Sequence, residues 1–408
     1  MLKKFIIIVY GLFLCSACIA QSSIIPGAER MTVYMPKLQG KKVGVFANPT
    51  SMVGQTHLVD MLLKSGIQVV KIFGPEHGFR GNIGDGEHIE NFTDKKTGIE
   101  IISLYGSHNK PTSKDLEGID VLIFDIQDVG TRFYTYISSL QYFMESAFEN
   151  SKPLLILDRP NPNGFYVDGP VLDMKFKSFV GMQPVPIVYG MTIGEYAFMI
   201  AGEKWLSDEA NKKYSYYQHA QNSADTPFHF LVIKCLNYDH NSKYVLPVKP
   251  SPNLPSMQSI YCYPSTCFFE GTVLSEGRGT EKPFQLFGHP LLSKKLISFV
   301  PESKEGAADP KLKGQKCYGW DISGTTEQVL QEVNKSIQLK WIITAYKSFP
   351  AKEKFFLPNG HFNRLAGNDI LVQQIKDGLS ESEIKESWQP GLDAFKNTRK
   401  KYLLYDDF

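Results

Sequence analysis

The chain has 408 residues, with 44 Lys and Arg against 42 Asp and Glu. A nucleic-acid partner needs a basic surface, so this near neutrality argues against one. The length exceeds what a single hydrophobic core usually supports, which indicates two domains.

The N-terminal segment is typical of a secretory signal. Lys3 and Lys4 precede a short apolar run, and small residues follow up to Ala20. The run is too short to span a bilayer, and no other stretch of the sequence is apolar for long enough. We therefore expect residues 1–20 to be a signal peptide and the mature protein to be periplasmic or secreted, without a transmembrane segment. The alternative is lipoprotein processing, with Cys18 as the lipid-anchored residue.

The first half of the chain alternates apolar strands with amphipathic helices. Short apolar runs that end at turn residues predict buried strands at 42–47, 68–73, 101–104, 120–125 and 153–157. Between them, Thr56 can cap a helix that Gly66 ends, and the apolar stripe from Phe133 to Phe148 predicts another helix. Nearly continuous apolar strands joined by helices indicate a parallel sheet covered on both faces, a Rossmann-like α/β fold.

A change of composition near residue 205 suggests the domain boundary. Thr192 and Glu195 fit a capping box that opens a helix, and the polar segment 204–225 has the composition of a surface excursion. We therefore expect a Rossmann-like N-terminal domain at residues 21–205 and a smaller α+β C-terminal domain at residues 206–408. The second half predicts a strand at 230–235, one or two helices after Thr325 and a final amphipathic helix at 381–401.

Polar side chains gather where three of the predicted strands end. Ligands of open parallel sheets bind outside the carboxyl ends of the strands, so these loops are candidate site loops. In chain order they carry Glu76, His77 and Arg80, then Gln127, Asp128, Arg132, Tyr134 and Tyr136, and then Asp158, Asn161 and Asn163. Three such loops at one edge of a sheet predict a cleft.

Two of these loops also have a purely structural interpretation. Glu76, before a His-Gly turn, can bind its own backbone. Asp158 can form an ion pair with Arg159, while Asn161 and Asn163 are good turn formers. The loop after residue 125 is harder to explain in this way, because its charged and aromatic side chains open a helix and project around one site.

The second half adds two carboxylates and a cation in glycine-rich sequence. Glu270 lies in Phe-Phe-Glu-Gly-Thr, and Glu276 and Arg278 lie in Ser-Glu-Gly-Arg-Gly-Thr. Either carboxylate can serve as the second acid or base of a glycoside hydrolase. Arg278 can instead hold an anion together with backbone N–H groups. Asn253, in a proline-rich link, is a further candidate.

Missing motifs exclude several classes of protein. The sequence has no GxGxxG dinucleotide turn, no P-loop and no GxSxG nucleophile elbow. It also has no HExxH or comparable histidine pair, so we expect neither a metal nor a cofactor. Four cysteines follow the signal and none lies in a CxxC pair, which permits one or two disulfides but not a disulfide scaffold. They are Cys235, Cys262, Cys267 and Cys317.

Taken together, the loops resemble a known bacterial family. The segments that carry the resemblance are FGPEHGFRG (73–81), FDIQDVG (124–130), RFYTY (132–136), LDRPNPNG (157–164), FEGT (269–272) and SEGRGT (275–280). The combination is similar to the NamZ-type exo-β-N-acetylmuramidases, which were first known as a domain of unknown function. The resemblance extends from Gly44 to Tyr405 and is specific as a set.

This resemblance implies a function and an architecture. The expected reaction is hydrolysis of terminal, non-reducing β-1,4-linked N-acetylmuramic acid from peptidoglycan fragments in cell-wall recycling. The expected architecture is a Rossmann-like N-terminal domain with the main catalytic loops and a smaller C-terminal domain that closes over the pocket.

Side-chain chemistry then predicts the roles of the site residues. Glu76 is expected to be the main catalytic carboxylate, with Glu276 first and Asp128 second as candidates for its partner. Arg278 and Arg132 are the expected cations for the lactyl carboxylate of muramic acid. The remaining residues, expected to orient or bind the sugar, are His77, Arg80, Gln127, Tyr134, Tyr136, Asp158, Asn161, Asn163, Asn253 and Glu270.

Two other functions fit the same residues. A hydrolase of a different amino sugar would use the same carboxylates without needing a lactyl group on its substrate. A non-catalytic binding protein for wall fragments would show saturable binding without turnover.

Overall fold

A seven-stranded sheet forms the centre of the first half of the molecule. The computed structural model describes residues 23–75, 78–80, 92–220 and 228–408. The strands of the described residues, in chain order, are β1 (Lys42–Ala47), β2 (Met52–Val53), β3 (Thr56–His57), β4 (Gln68–Gly74), β5 (Phe92–Thr93), β6 (Glu100–Ser103), β7 (Val121–Asp125), β8 (Leu154–Leu157), β9 (Phe230–Ile233), β10 (Leu286–His289), β11 (Ile297–Phe299) and β12 (Cys317–Asp321).

The large sheet has the order β5-β6-β4-β1-β7-β8-β9 and is parallel except for its β5 edge. The chain builds outward from β1 to β4 and β6, and then returns to the other side of β1 as β7. The point where strand order reverses therefore lies between β1 and β7, where Ala47 is the register partner of Asp125. The expected α/β fold with a parallel sheet is confirmed.

Helices surround this sheet and build most of the second half. They are α1 (Met31–Leu38), α2 (Leu58–Lys64), α3 (Tyr136–Glu149), α4 (Ile193–Gly202), α5 (Asp208–Ala220), α6 (Met257–Thr266), α7 (Thr326–Val333), α8 (Leu339–Ser348), α9 (His361–Ala366), α10 (Ile370–Lys376) and α11 (Glu381–Arg399). Short 3-10 turns lie at Gly27–Glu29, Met174–Phe176, Cys267–Gly271, Lys352–Lys354 and Lys400–Tyr402. Across the described ranges, no helix combines the length and apolar character needed to cross a bilayer.

Both faces of the large sheet are buried, so its strands are nearly continuous apolar runs in the sequence. On one face, Phe46 and Phe124 stack with their ring centroids 4.9 Å apart, and the ring of Phe143 from α3 lies 5.1 Å from that of Phe46. On the other face, Val45 and Ile123 belong to a second buried cluster, to which α1 and α2 contribute. The strand alternation thus separates two cores around one sheet.

One of the two predicted helix N-caps is present in the structure and the other is not. The capping box of Thr192 and Glu195 opens α4 as predicted. The expected cap at Thr56 is wrong, because Thr56 lies in β3 and the ring of His57 accepts the hydrogen bond from the N–H of Val59.

The segment after α4 also differs from expectation. Part of the polar stretch 204–225 forms α5, because Tyr214 and Tyr217 share one face of that helix and pack on Phe148, with ring centroids 5.6 and 6.1 Å away. Beyond it, β9 pairs with β8 in the large sheet. The sheet therefore extends past the domain boundary that we expected at residue 205.

The second half carries a small antiparallel sheet, β10-β12-β11, together with helices α7 to α11. Its last residues return to the first domain. The Tyr405 hydroxyl donates to Asp158 Oδ2 at 2.5 Å, and the N–H of Leu404 donates to Glu195 Oε1 at 2.7 Å. The C-terminal tail therefore ties the second half to the end of β8.

Candidate active site

Side-chain hydrogen bonds join the loops on either side of the point where strand order reverses. Asn48 Nδ2 donates to the Tyr136 hydroxyl at 3.0 Å, and the N–H of Gln127 donates to Thr50 Oγ1 at 3.0 Å. Asn48 and Thr50 were not predicted as site residues, because Asn48 and Pro49 are typical of a turn at the end of a strand. Their position after β1, beside the loop after β7, was the available signal.

Asp128 is a deeply buried carboxyl group in the loop that follows β7. It is 5% exposed. Its Oδ2 accepts hydrogen bonds from the Tyr189 hydroxyl and, at 2.6 Å, from the N–H of Gly130, while its Oδ1 has no partner among the described residues. Burial raises the pKa of Asp128 to about 7, although these hydrogen bonds oppose the rise. Such a group can give up or take a proton near neutral pH. Tyr189 was not predicted, since no motif surrounds it.

The ion pair considered between Asp158 and Arg159 does not form. Arg159 instead donates Nε to Asp125 Oδ1 at 2.6 Å and Nη2 to Asp125 Oδ2 at 2.9 Å, linking the ends of β7 and β8. Asp158 accepts from the Thr192 hydroxyl at 2.8 Å and from the N–H of Gly194 at 2.8 Å, in addition to Tyr405. Burial raises the pKa of Asp158 to about 6. These contacts position α4 and the C-terminal tail.

The amide side chains nearby hold the loops to one another. Asn161 Oδ1 accepts from the N–H of Asn163 at 2.8 Å, which is the turn that this residue type favours. Asn163 Nδ2 donates to the carbonyl of Val129 at 2.8 Å, and Gln127 Nε2 donates to the carbonyl of Pro160 at 2.7 Å. The loops after β7 and β8 are therefore braced against each other, and Asp128 lies within the braced segment.

Arg132 is completely buried and bridges the two halves of the chain. Its Nη1 donates to the carbonyls of Pro170 and Val185 at 2.9 and 2.7 Å, and its Nη2 donates to those of Leu365 and Ala366 at 2.9 and 2.8 Å. Burial lowers the pKa of Arg132 to about 9. The guanidinium group satisfies backbone carbonyls from both halves.

The loop after β4 is described only in part. Glu76 and His77 lie outside the described residues. Arg80 is held by two carboxylates, with its Nη2 2.8 Å from Asp94 Oδ2 and 3.2 Å from Asp60 Oδ1. The hydrogen bonds that Arg80 donates lower the pKa of Asp94 to about 2, against the opposing effect of burial. These ion pairs attach the loop to α2.

The two tyrosines at the start of α3 lie against each other, with ring centroids 4.9 Å apart in an edge-on arrangement. Tyr136 is buried, whereas Tyr134 is partly exposed and donates its hydroxyl proton to the carbonyl of Pro250 at 2.7 Å. That contact joins the loop after β7 to the proline-rich link. In the same link, Asn253 Nδ2 donates to the carbonyl of Gly306 at 2.7 Å.

A charged cluster in the second half brings together the residues of its two predicted loops. Arg278 Nη2 lies 2.8 Å from Glu270 Oε1, and Arg278 Nε lies 3.6 Å from Glu276 Oε1. Two further members were not predicted: Lys311 Nζ lies 2.8 Å from Glu276 Oε2, and His361 Nε2 lies 3.7 Å from Glu270 Oε2. Neither has a sequence motif that could have identified it.

The environments of the two carboxylates in this cluster differ. Glu276 is 2% exposed, and the ammonium group beside it also donates to the carbonyl of Phe269 at 2.7 Å. Glu270 is more open. Burial opposes ionisation of Glu270, but Arg278 and then His361 outweigh it and lower the pKa of Glu270 to about 2. The cluster therefore carries both a buried carboxylate and cations that can bind an anion.

The four described cysteines are free thiols. Cys235, Cys262, Cys267 and Cys317 are all buried and unpaired, so the disulfides that the sequence permitted among them are not formed. Within the described ranges, His, Cys, Asp and Glu side chains form no group of three suited to a metal ion.

Fold and site together define a two-part α/β protein whose acidic groups lie at the carboxyl edge of a parallel sheet and in a charged cluster of the second half. Residues 43–258 match the family described as exo-beta-N-acetylmuramidase NamZ, N-terminal, and residues 261–405 match its C-terminal counterpart. The chain belongs to the exo-β-N-acetylmuramidase NamZ family, which confirms the resemblance seen in the loops.

Known relatives agree with this assignment. The peptidoglycan beta-N-acetylmuramidase NamZ of Bacillus subtilis is 36% identical over 394 residues, covering 91% of this chain and 89% of the relative. A crystal structure of a DUF1343 family protein from Bacteroides fragilis superposes with a TM-score of 0.83 at 44% identity, covering 95% of this chain and all of the other. A second structure from the same organism and family gives a TM-score of 0.75 at 27% identity, covering 94% and 99%.

Proposed function

We propose that this protein is an exo-β-N-acetylmuramidase that releases terminal, non-reducing β-1,4-linked N-acetylmuramic acid from peptidoglycan fragments. The observation that carries the proposal is the similarity to the Bacillus subtilis peptidoglycan β-N-acetylmuramidase over nine-tenths of the chain. Matches to both family domains, over residues 43–258 and 261–405, also support it.

Hydrolysis of a glycosidic bond needs one carboxyl group that protonates the leaving oxygen and a second that acts as base or nucleophile. We assign Glu76 as the main catalytic carboxylate, on the loop that follows β4. Asp128 is the better supported acid partner, because its buried carboxyl group holds a proton near neutral pH and one of its oxygens has no partner in the described part of the chain. Glu276 is the alternative partner, although Lys311 and Arg278 already surround its carboxylate.

Recognition of muramic acid requires a cation for its lactyl carboxylate. Arg278 is the proposed partner, since it is partly exposed and already lies among charged groups of the second half. Arg132 is better suited to positioning, because four backbone carbonyls use its terminal nitrogens. Tyr134, partly exposed at the start of α3, is the proposed stacking residue for the sugar ring.

Export is part of the same proposal. A peptidoglycan fragment lies outside the inner membrane, and the charged, apolar and small-residue layout of residues 1–20 supports secretion. Mass spectrometry of the mature N-terminus tests this directly. A start at Gln21 supports free export, and a diacylglyceryl group on Cys18 supports anchoring instead.

The decisive experiment is product analysis after incubation with a disaccharide of N-acetylmuramic acid β-1,4-linked to N-acetylglucosamine. We expect both free monosaccharides, and faster turnover of a chromogenic muramic acid substrate than of its N-acetylglucosamine counterpart. Equal rates on the two chromogenic substrates would favour a hydrolase of another amino sugar. Saturable binding of the disaccharide without products would overturn the enzymatic proposal.

A further inference from the structure

Glu270 lies between two cationic side chains, one on each of its carboxylate oxygens. Arg278 Nη2 lies 2.8 Å from its Oε1, and His361 Nε2 lies 3.7 Å from its Oε2. The three side chains remain 22 to 27% exposed, so a solute can reach them. A ligand carboxylate that approaches Arg278 therefore has to compete with Glu270 for the guanidinium group.

The charged groups around this trio already have partners. Lys311 Nζ lies 2.8 Å from Glu276 Oε2 and also donates to two backbone carbonyls, and Arg278 Nε lies 3.6 Å from Glu276 Oε1. On α9 itself, Arg364 donates to a backbone carbonyl of the preceding turn at 3.0 Å. Among these residue types, histidine is the one whose charge changes between about pH 5 and 8. The protonation of His361 therefore changes the charge of the cluster near neutral pH.

Aromatic contacts join this cluster to the start of α3. The guanidinium carbon of Arg278 lies 5.2 Å from the ring centroid of Phe284, and that ring meets Tyr263 edge-on at 4.8 Å. Tyr263 in turn meets Tyr134 edge-on at 6.0 Å. Rings in contact thus connect Arg278 with Tyr134, the residue proposed to stack on the sugar.

We propose that His361 is a specificity-determining residue, whose protonation releases Arg278 from Glu270 so that Arg278 can bind the lactyl carboxylate of muramic acid. This inference rests on the proposed function and gives a role to a residue that no motif identifies. Glu270 stays ionised at neutral pH, because Arg278 and His361 lower its pKa to about 2 against the effect of burial. A protonated His361 competes for Glu270, whereas a neutral one leaves it to Arg278.

The proton on His361 and the ligand carboxylate should therefore favour each other's binding, as linkage requires. Affinity for a carboxylated sugar should fall as pH rises through the range in which histidine loses its proton. A neutral sugar of the same shape should not show this fall, because it does not need the freed guanidinium group.

The test compares chromogenic aryl glycosides of N-acetylmuramic acid and of its lactyl carboxamide, a neutral analogue of equal size. The measured quantity is the ratio of kcat/KM for the acid to kcat/KM for the amide. Groups that act on both substrates, such as Asp128, cancel in this ratio. We expect the ratio to fall about fivefold from pH 6 to 8 in the wild-type protein, the size of a partly exposed charge interaction. A ratio that is constant over this range would overturn the proposal.

Two substitutions at His361 separate its charge from its place in the fold. His361→Gln should give a constant ratio at the wild-type value for pH 8, and His361→Lys should give a constant ratio at the higher value for pH 6. A merely structural role would change both substrates equally. The matched control is His289→Gln in β10, outside the cluster, which should retain the wild-type fall. The same fall in His361→Gln would also contradict the proposal.

Failure of this inference can be told apart from failure of the hydrolytic function. Cleavage of both substrates at a constant ratio would remove the role of His361 and leave the enzyme assignment in place. If neither substrate is cleaved, isothermal titration calorimetry with N-acetylmuramic acid tests the role directly. Heats measured in two buffers of different ionisation enthalpy should show proton uptake on binding at pH 7, and His361→Gln should lack it. No binding, or binding without proton uptake, would overturn the inference.

Discussion

The hydroxyl of Tyr189 donates a hydrogen bond to Oδ2 of Asp128, and both side chains are buried. The two residues are 61 positions apart in the chain. Burial drives the pKa of Asp128 upward, while the tyrosine hydrogen bond stabilises the ionised form and limits that rise. The Tyr189 hydrogen bond therefore helps to set the pKa of Asp128, and a change in that pKa can be measured in the pH profile of kcat.

Replacing Asp128 with Asn should lower kcat on a muramic acid substrate by ~10²–10⁴, the usual contribution of a general acid or base.

In Tyr189→Phe the hydrogen bond that lowers the pKa of Asp128 is lost. The alkaline limb of the kcat profile, which lies near pH 7 if Asp128 is the acid, should then move to higher pH. The control is Tyr166→Phe, another buried tyrosine, which should leave the limb in place. An unchanged limb in Tyr189→Phe would rule out Asp128 as the titrating acid.

Asp128 should also contribute to the pH dependence of stability. Its folded-state pKa of about 7 lies above the ordinary value of 3.8, so between these values the folded state binds more protons than the unfolded state. The free energy of unfolding therefore falls as pH rises through this window, by ~1.4 kcal/mol for each pKa unit of difference. Urea denaturation from pH 4 to 8 should show a shallower fall in Asp128→Asn than in the wild type. Asp158 titrates with the same sign in both proteins, so only their difference is informative.

Changing Glu76 to Gln keeps its size while removing the ionisable group. A catalytic role predicts a loss in kcat of ~10²–10⁴ with little change in melting temperature. If Glu76 only braces its loop, turnover should persist and the melting temperature should fall. Normal turnover of the variant would transfer the catalytic assignment to Glu276 and Asp128, and would leave the family membership unaffected.

Arg278→Lys tests recognition of the lactyl group. A lysine keeps the charge but cannot form the paired hydrogen bonds of a guanidinium group, so kcat/KM on a muramic acid substrate should fall about tenfold or more. The N-acetylglucosamine analogue has no lactyl carboxylate and should be affected much less. Arg399→Lys, which changes an arginine paired with Asp407 outside the candidate site, serves as the matched control and should lower neither rate. Equal losses on both substrates would argue that Arg278 only maintains the cluster.

Alkylation of the folded protein should leave turnover nearly intact. The four described thiols are buried, and burial raises the pKa of Cys235, so the reactive thiolate form is scarce. Iodoacetamide followed by activity assays and intact-mass measurement tests this. Rapid inactivation of a protein that remains folded would show that a thiol contributes to the site.

Local sequence patterns determined much of the architecture. Runs such as 42–47 and 120–125 are apolar on both sides, which is what a strand covered on two faces requires, and they became the central parallel pair β1 and β7. The capping box at Thr192 could be predicted from the sequence because its hydrogen bonds join residues only three positions apart. Parallel strands also place their carboxyl ends at one edge, so the loops after β7 and β8 could be expected to meet.

Tertiary structure alone decided which polar groups pair within those loops. Arg159 bypasses its neighbour Asp158 and binds Asp125, because the register of β7 and β8 brings that carboxylate to its guanidinium group. Arg132 reaches the carbonyls of residues 365 and 366, more than 230 positions away. Such contacts depend on strand order, domain packing and burial. Periodicity and residue type describe only the neighbourhood along the chain, so they identify a polar side chain without specifying its partner.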